Sequence, residues 1–256
     1  MLRRMTQALR EQNWTTILVE FVLLVCGVFL GIQAANWNAT QQDHALEAEY
    51  IARLQQDFHV IDARLDQNVV RWQQKTAAPA RLLADLKAFQ ARGAWPRAKA
   101  DILRDLNDTP NGAIPAPRAA TYVELLSVGK LGLIRNTKLR DALLNYDVQT
   151  GFTMKAYDVL VQRTDPYMGA IVAHLEFDQH MVDFKAVAEV AVSNVKIWDD
   201  VDLAQLAADP RLKVALNMYA SSASNQLKIA LLQLAKAKAV SAILTPDAAR
   251  AQGKQP

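Results

Sequence analysis

A run of apolar residues long enough to cross a bilayer constrains this chain more than any other feature. It lies in "VEFVLLVCGVFLGIQAANW", residues 19–37, and from Ile17 to Ile32 its only charged residue is Glu20. Trp14 and Trp37 bracket it. At 1.5 Å of rise per residue the two indoles sit ~35 Å apart on a helix, close to the ~30 Å of a hydrocarbon core and its interfaces. A cleavable signal peptide is the alternative reading, but its apolar region is shorter and small residues stand at −3 and −1. Cleavage after Ala34 or Ala35 would put Ile32 or Gln33 at −3, so the sequence favours a retained anchor.

Flanking charge orients the span. Residues 1–13 carry Arg3, Arg4 and Arg10 against Glu11, whereas residues 38–57 carry Asp43, Glu47, Glu49 and Asp57 against Arg53. The positive-inside rule places the N-terminal segment in the cytoplasm and the remainder outside, which for a bacterial inner membrane means the periplasm. The single cysteine, Cys26, lies within the span, so the exported part has no disulfide to hold it and depends on packing. The net charge of +3 is small and basic residues are interspersed with acidic ones, a pattern that argues against nucleic acid as a partner.

On a helical wheel at ~100° per residue, Thr16, Glu20, Leu24, Gly27 and Gly31 share one narrow stripe. Small residues let helices approach closely in lipid, and a carboxyl facing acyl chains is costly unless it meets a protein partner. The stripe therefore predicts an association face, either between copies of this chain or with another transmembrane helix, with Trp14 and Trp37 as interface anchors. A chance Gly-x-x-x-Gly with Glu20 reaching the headgroups is the competing explanation.

Two stretches, "NWTTILVEFVLLVCGVFLGIQAANWNATQQDHALEAEYIARLQQDF" (13–58) and "TYVELLSVGKLGLIRNTKLRDALLNYD" (121–147), resemble a bacterial family of uncharacterised single-pass membrane proteins. The resemblance implies an anchored helical domain and brings no activity, cofactor or catalytic residue with it.

Beyond the span, Leu46, Tyr50, Leu54, Phe58, Ile61, Leu65, Val69 and Trp72 recur at spacings of four and three, and no Gly or Pro interrupts residues 32–78. The membrane helix is thus expected to continue as one amphipathic helix, a stalk of ~60 Å. Pro79 is expected to open a second helix ending at Gly93, and Pro96 a third. The segment "NDTPNGAIPAP" (107–117) must be a loop, either a connector or a lid. A helix capped by Asn136 should run to about Arg163, with Pro166 kinking or restarting it behind Asp165. Residues 186–198 are ambiguous between strand and helix. The last long helix should begin at Pro210 behind Asp209 and stop before Pro246, leaving a frayed tail. "NTKLRDALLNY" (136–146) and "DPRLKVALNMY" (209–219) align without gaps, which raises an internal duplication.

The expected architecture is all-α. It comprises a cytoplasmic N-terminus (1–13), a transmembrane helix (14–37), a long stalk or bundle helix (38–78), an antiparallel helical bundle (79–245) and a flexible C-terminal tail (246–256). No nucleophile elbow, phosphate loop or convergent metal set occurs. "HLEFDQH" places His174, Glu176, Asp178 and His180 close in sequence, but the two histidines fall ~120° apart on a helix, and His44–Glu47 and His59–Asp62 read as ordinary helix contacts. The sequence therefore predicts no metal, no cofactor and no catalytic residues. It points to a non-enzymatic interaction protein that self-associates through its span. The alternative is a small-molecule-binding bundle gated by 107–117, with Tyr122, Glu124, Arg135, Tyr146 and Arg163 as ligand or packing positions.

Overall fold

A computed structural model describes residues 14–110, 112–174 and 201–252. Those residues form helices and connecting segments, with no strand among them. Helix α1 spans Trp14–Arg92, 79 residues without a break. It is followed by α2 (Lys99–Asp108), α3 (Ala120–Ser127), a 3-10 turn at Leu131–Leu133, α4 (Thr137–Val172), the short α5 (Leu203–Ala208) and α6 (Pro210–Gln252). The region expected to be ambiguous, 186–198, lies outside the described residues, as do Glu176, Asp178 and His180.

The amphipathic stripe on α1 is what the bundle is built on. Leu54, Phe58, Ile61 and Leu65 are buried together with Leu139, Leu143 and Tyr146 of α4 and Ala237, Val240 and Leu244 of α6. Helix α6 runs between α1 and α4 and packs extensively on both. Its direction opposes α1: Gln55 donates to the Leu244 carbonyl at 2.9 Å, Ser241 to Asp62 at 2.9 Å and Lys238 to Asp66 at 3.0 Å. A second core at the other end gathers Leu82 and Leu86 of α1, Ile102, Leu103 and Leu106 of α2, Ile171 of α4, and Leu212, Leu216 and Tyr219 of α6.

Four expected helix boundaries are corrected, all at prolines. Pro79 does not start a helix; α1 passes through it. Proline inside a helix costs about 3 kcal/mol because it frees a carbonyl and crowds the preceding turn, but burial of Ala78, Leu82 and Leu86 on both sides holds the helix together. Pro166 likewise sits inside α4, where Thr164, Ala170 and Ile171 are buried around it. Helix α6 passes Pro246 and reaches Gln252, so the frayed tail expected from 247 onward is instead helical to that point. Helix α2, expected to open at Pro96, begins at Lys99, and Arg97 ahead of it is paired with Asp85 and Asp105.

Other local signals act as expected. Gly93 takes φ +71° and its N–H bonds to the Phe89 carbonyl, ending α1. Gly129 takes φ +67°, and Lys130 N–H reaches back to the Leu125 carbonyl at 2.9 Å to close α3. Asn136 caps α4 by accepting from Leu139 N–H at 3.2 Å. Asp209 accepts from Arg211 N–H at 2.8 Å at the start of α6.

The stalk is shorter than its helix. Residues 18–45 are exposed on all sides, but contact with the bundle starts at Leu46 and is complete by Leu54. Only about nine residues, ~13 Å of helix, separate Trp37 from the bundle. Phe58 lies at the centre of the first core, its ring edge-on to Tyr146 at 5.1 Å. Phe58→Ala should cost about 3–5 kcal/mol, whereas Val60→Ala, on the exposed face, should stay within about 0.5 kcal/mol. Urea unfolding of the detergent-solubilised chain, followed by circular dichroism, separates the two.

Candidate interaction surface and polar clusters

The span is the one helix in the structure long and apolar enough, by length and composition, to cross a membrane among the described residues. Trp14 and Thr16 fall in the first turn of α1. Glu20, Leu24, Gly27 and Gly31 follow on the same stripe, and no part of the bundle covers them. A Cβ added to Gly27 or Gly31 would meet no atom within 4 Å, so the two glycines leave an open notch. Trp37, at the other end of the run, is exposed.

Just beyond the span, α1 grips the rest of the bundle through polar side chains. Asp57 accepts from Thr121 N–H at 2.8 Å and so satisfies an orphan donor in the first turn of α3. Tyr50 donates to Glu124 at 3.3 Å, and Arg53 forks onto the same carboxylate while lying 5.3 Å from the Tyr50 ring. The hydrogen bonds from Arg53 hold the Glu124 carboxyl below its usual range against the opposing pull of burial. Glu47 accepts from Arg135 N–H at 2.6 Å, and the Arg135 guanidinium lies 2.5 Å from His44 Nε2. These contacts clamp α1 to the α3–α4 connection at the end of the bundle nearest the span.

The five residues expected as ligand or packing positions therefore separate. Tyr122 and Tyr146 are both buried in the first core. The Tyr146 hydroxyl donates to the Pro117 carbonyl at 2.9 Å, and burial pushes its pKa up to about 12. Glu124 and Arg135 belong to the clamp. Arg163 lies apart from all four, on an exposed groove between α4 and α6. Sequence reasoning missed the clamp partners Tyr50, Arg53 and Asp57, since only the fold tells which acid on α3 a base on α1 will meet. Arg163 could have been placed with Lys155 by their spacing of eight on one helix face, but the wall opposite, on α6, leaves no local signal.

The loop expected at 107–117 starts later, because Asn107 and Asp108 still belong to α2; residues 112–119 have a non-helical backbone held by side chains from three helices. Asn68 donates to the Ile114 carbonyl at 2.8 Å, Gln233 to the Ala116 carbonyl at 3.4 Å and Tyr146 to that of Pro117. Ala113 and Ala116 are buried, while the Ile114 side chain is 73% exposed.

A second polar cluster joins α1 to α2. Asp105 and Asp85 are buried, and Arg97 bridges them, at 2.8 Å to Asp105 and through its Nε at 2.9 Å to Asp85; Arg81 Nε adds a 2.9 Å bond to Asp105. Its charges balance one for one, two acids against two guanidinium groups, so the arrangement is a structural tie and not an anion site. At the same end of the bundle His174 lies 3.2 Å from Asp209, which also holds the Arg211 side chain. No group of three or more potential metal ligands gathers among the described residues. No protein-family model, curated protein or solved structure matches the chain.

The Asp105 tie has a pH signature. Burial alone pushes its carboxyl up, but the hydrogen bonds from Arg81 and Arg97 outweigh burial and leave it lowered. A carboxyl that is more acidic in the folded state binds fewer protons there than in the unfolded chain, so its stabilising contribution is full above the unfolded value near 4 and is lost as pH falls through the lowered folded value. Melting temperatures of the detergent-solubilised chain should accordingly drop on acidification below about pH 4. Asp105→Asn should melt lower at pH 7 and show a shallower decline over the acid range.

Proposed function

We propose that this chain is an inner-membrane, single-pass protein with its N-terminus in the cytoplasm and its helical bundle in the periplasm. In this reading it is a non-enzymatic interaction protein that self-associates through the Thr16–Glu20–Leu24–Gly27–Gly31 face of its span. The observation that carries the reading is the continuity of α1. The helix that bears the uncovered Glu20 and glycine stripe is the same helix whose other half forms the bundle core, so pairing of two spans fixes the placement of two bundles. The charge imbalance across the span supports the orientation. The open notch at Gly27 and Gly31 supports close helix approach. The family resemblance of residues 13–58 and 121–147 fits the same picture.

The alternative, a small-molecule-binding module gated by 107–117, draws support from the groove at Arg163. The ties from Asn68, Gln233 and Tyr146 favour a fixed connector over a gate.

Crosslinking in detergent or native membranes tests the association. Wild type should give a dimer or higher species that Gly27→Leu and Glu20→Leu each diminish, and an unchanged pattern in both variants would end the proposal. Orientation is read separately: a reporter active only in the cytoplasm should be silent when fused after Pro256 and active when fused ahead of Met1.

A further inference from the structure

A cavity on the α4–α6 face lies away from the clamp, the span and the buried ion pairs. It is a groove of ≈ 610 Å³ between α4 and α6, within the ~300–1,000 Å³ range of small-molecule sites. Its apolar lining comes from Phe152, Val159 and Leu160 of α4 and Ile229 of α6. Three cations, Lys155, Arg163 and Lys228, line it as well, and no acid does. None of the three takes part in an ion pair among the described residues; Arg163 has only the Met218 sulfur, 4.0 Å from its Nη2. The acids nearest in sequence, Asp158 and Asp165, are absent from the lining.

The groove also contains an unsatisfied donor. Ser222 is 93% buried, and its hydroxyl has no hydrogen-bond partner among the described residues. A buried hydroxyl left unpaired costs about 1–3 kcal/mol, which a ligand oxygen would recover. The register of the two helices places it. Gln226 donates to the Ala156 carbonyl at 2.7 Å and Tyr219 to that of Thr164 at 3.3 Å, so Ser222 stands level with residues 160–162, beside Arg163. Lys155 and Lys228, both in the lining, come level with one another about two turns further along. The apolar wall continues from Phe152 to Val148 and Leu144 at spacings of four, both exposed.

We propose that this groove binds a single-chain amphiphilic carboxylate of the fatty-acid class. The carboxylate sits at Arg163 and the Ser222 hydroxyl, and the chain runs past Val159, between the lysine stems, to Phe152 and Ile229. Positive charge with no acid paired to it among the described residues, over an apolar floor, selects an anion with a hydrocarbon body, since a neutral lipid leaves the cations unused and a small inorganic anion leaves the floor wet. The ligand comes from solution and not from the bilayer in place. The groove packs on the cluster of Trp72, Ala223 and Ala230, and Trp72 is 35 residues beyond Trp37 on the same helix, ~50 Å from the interface. The site does not depend on association of the spans.

The test uses the full chain in nanodiscs and a dodecanoate analogue bearing a diazirine on its chain, with labelled peptides mapped after irradiation. Peptides covering 152–163 and 221–229 should be labelled, and unlabelled dodecanoate should displace the label while dodecanol and inorganic phosphate do not. Arg163→Gln, and Lys155→Gln combined with Lys228→Gln, should each lower labelling of those peptides by about tenfold, as loss of a charge-assisted contact predicts. Labelling of the span, which reports bilayer partitioning, should stay constant and so shows that the variants are folded and inserted. Label confined to the span overturns the proposal, as does groove labelling that the variants leave unchanged or that dodecanol or phosphate displaces equally well. Lysine crosslinks between two copies through Lys155 or Lys228 that dodecanoate leaves undiminished would assign the groove to a second copy, and also overturn it.

Discussion

Everything in this structure depends on one continuous helix from Trp14 to Arg92, whose backbone hydrogen-bond ladder lacks only the bond that Pro79 cannot donate. Over its first third the helix satisfies its own polar groups, as a segment must if it is to cross lipid, and its side chains from Leu18 to Ala45 are uncovered. From Leu54 onward the same helix turns one apolar stripe toward α4 and α6. No flexible joint lies between the two regimes, so the azimuth of the Gly27 notch about the helix axis is set relative to that of the core stripe. Any partner that paired with this stretch would therefore meet the bundle in a fixed rotational setting, within the bending that a long helix allows.

The aligned segments at 136–146 and 209–219 occupy equivalent roles in the two cores. Leu139, Leu143 and Tyr146 are buried in the first core, and Leu212, Leu216 and Tyr219 in the second. Each tyrosine places its hydroxyl on a backbone carbonyl of another segment, Tyr146 on Pro117 and Tyr219 on Thr164. A capped amphipathic helix start with tyrosine on its inner face is a device that fills a core and satisfies a stranded carbonyl with one side chain. Reuse of that device at opposite ends of the bundle explains the similarity whether or not the segments share an ancestor.

Much of the architecture was legible because periodicity is a local property. The stripe from Leu46 to Trp72, the Asn136 and Asp209 caps and the Gly93 stop each announce themselves within a turn or two, and all stand as read. Prolines misled, since the penalty of Pro79 or Pro166 is a fixed local cost whereas the packing that offsets it is assembled from residues far off in sequence. The polar positions split for the same reason. Tyr122, Glu124, Arg135, Tyr146 and Arg163 are all on or near α3 and α4, yet which of them is buried, clamped or free depends on what α1 and α6 bring opposite. Asp57 shows the reverse case: on its own helix it reads as a solvated acid, and only the fold makes it the cap of α3.

Charge placement gives the two faces of the bundle different characters. Where α1 meets α2, α3 and the Arg135 segment, nearly every buried or half-buried base has an acid beside it, from Arg53 with Glu124 to Arg81 and Arg97 with Asp105 and Asp85. Those pairs are worth little individually at the surface, but they specify which helices meet and in what register. Lys155, Arg163 and Lys228 depart from that pattern on the side of the bundle away from α1, around apolar side chains and an unpaired hydroxyl. Pairing would have been simple to build, since Asp158 and Asp165 already lie on α4 one turn or less from the bases. Their exclusion from the groove leaves a positive field over an apolar surface, the combination that favours a ligand with an acid at one end and hydrocarbon at the other.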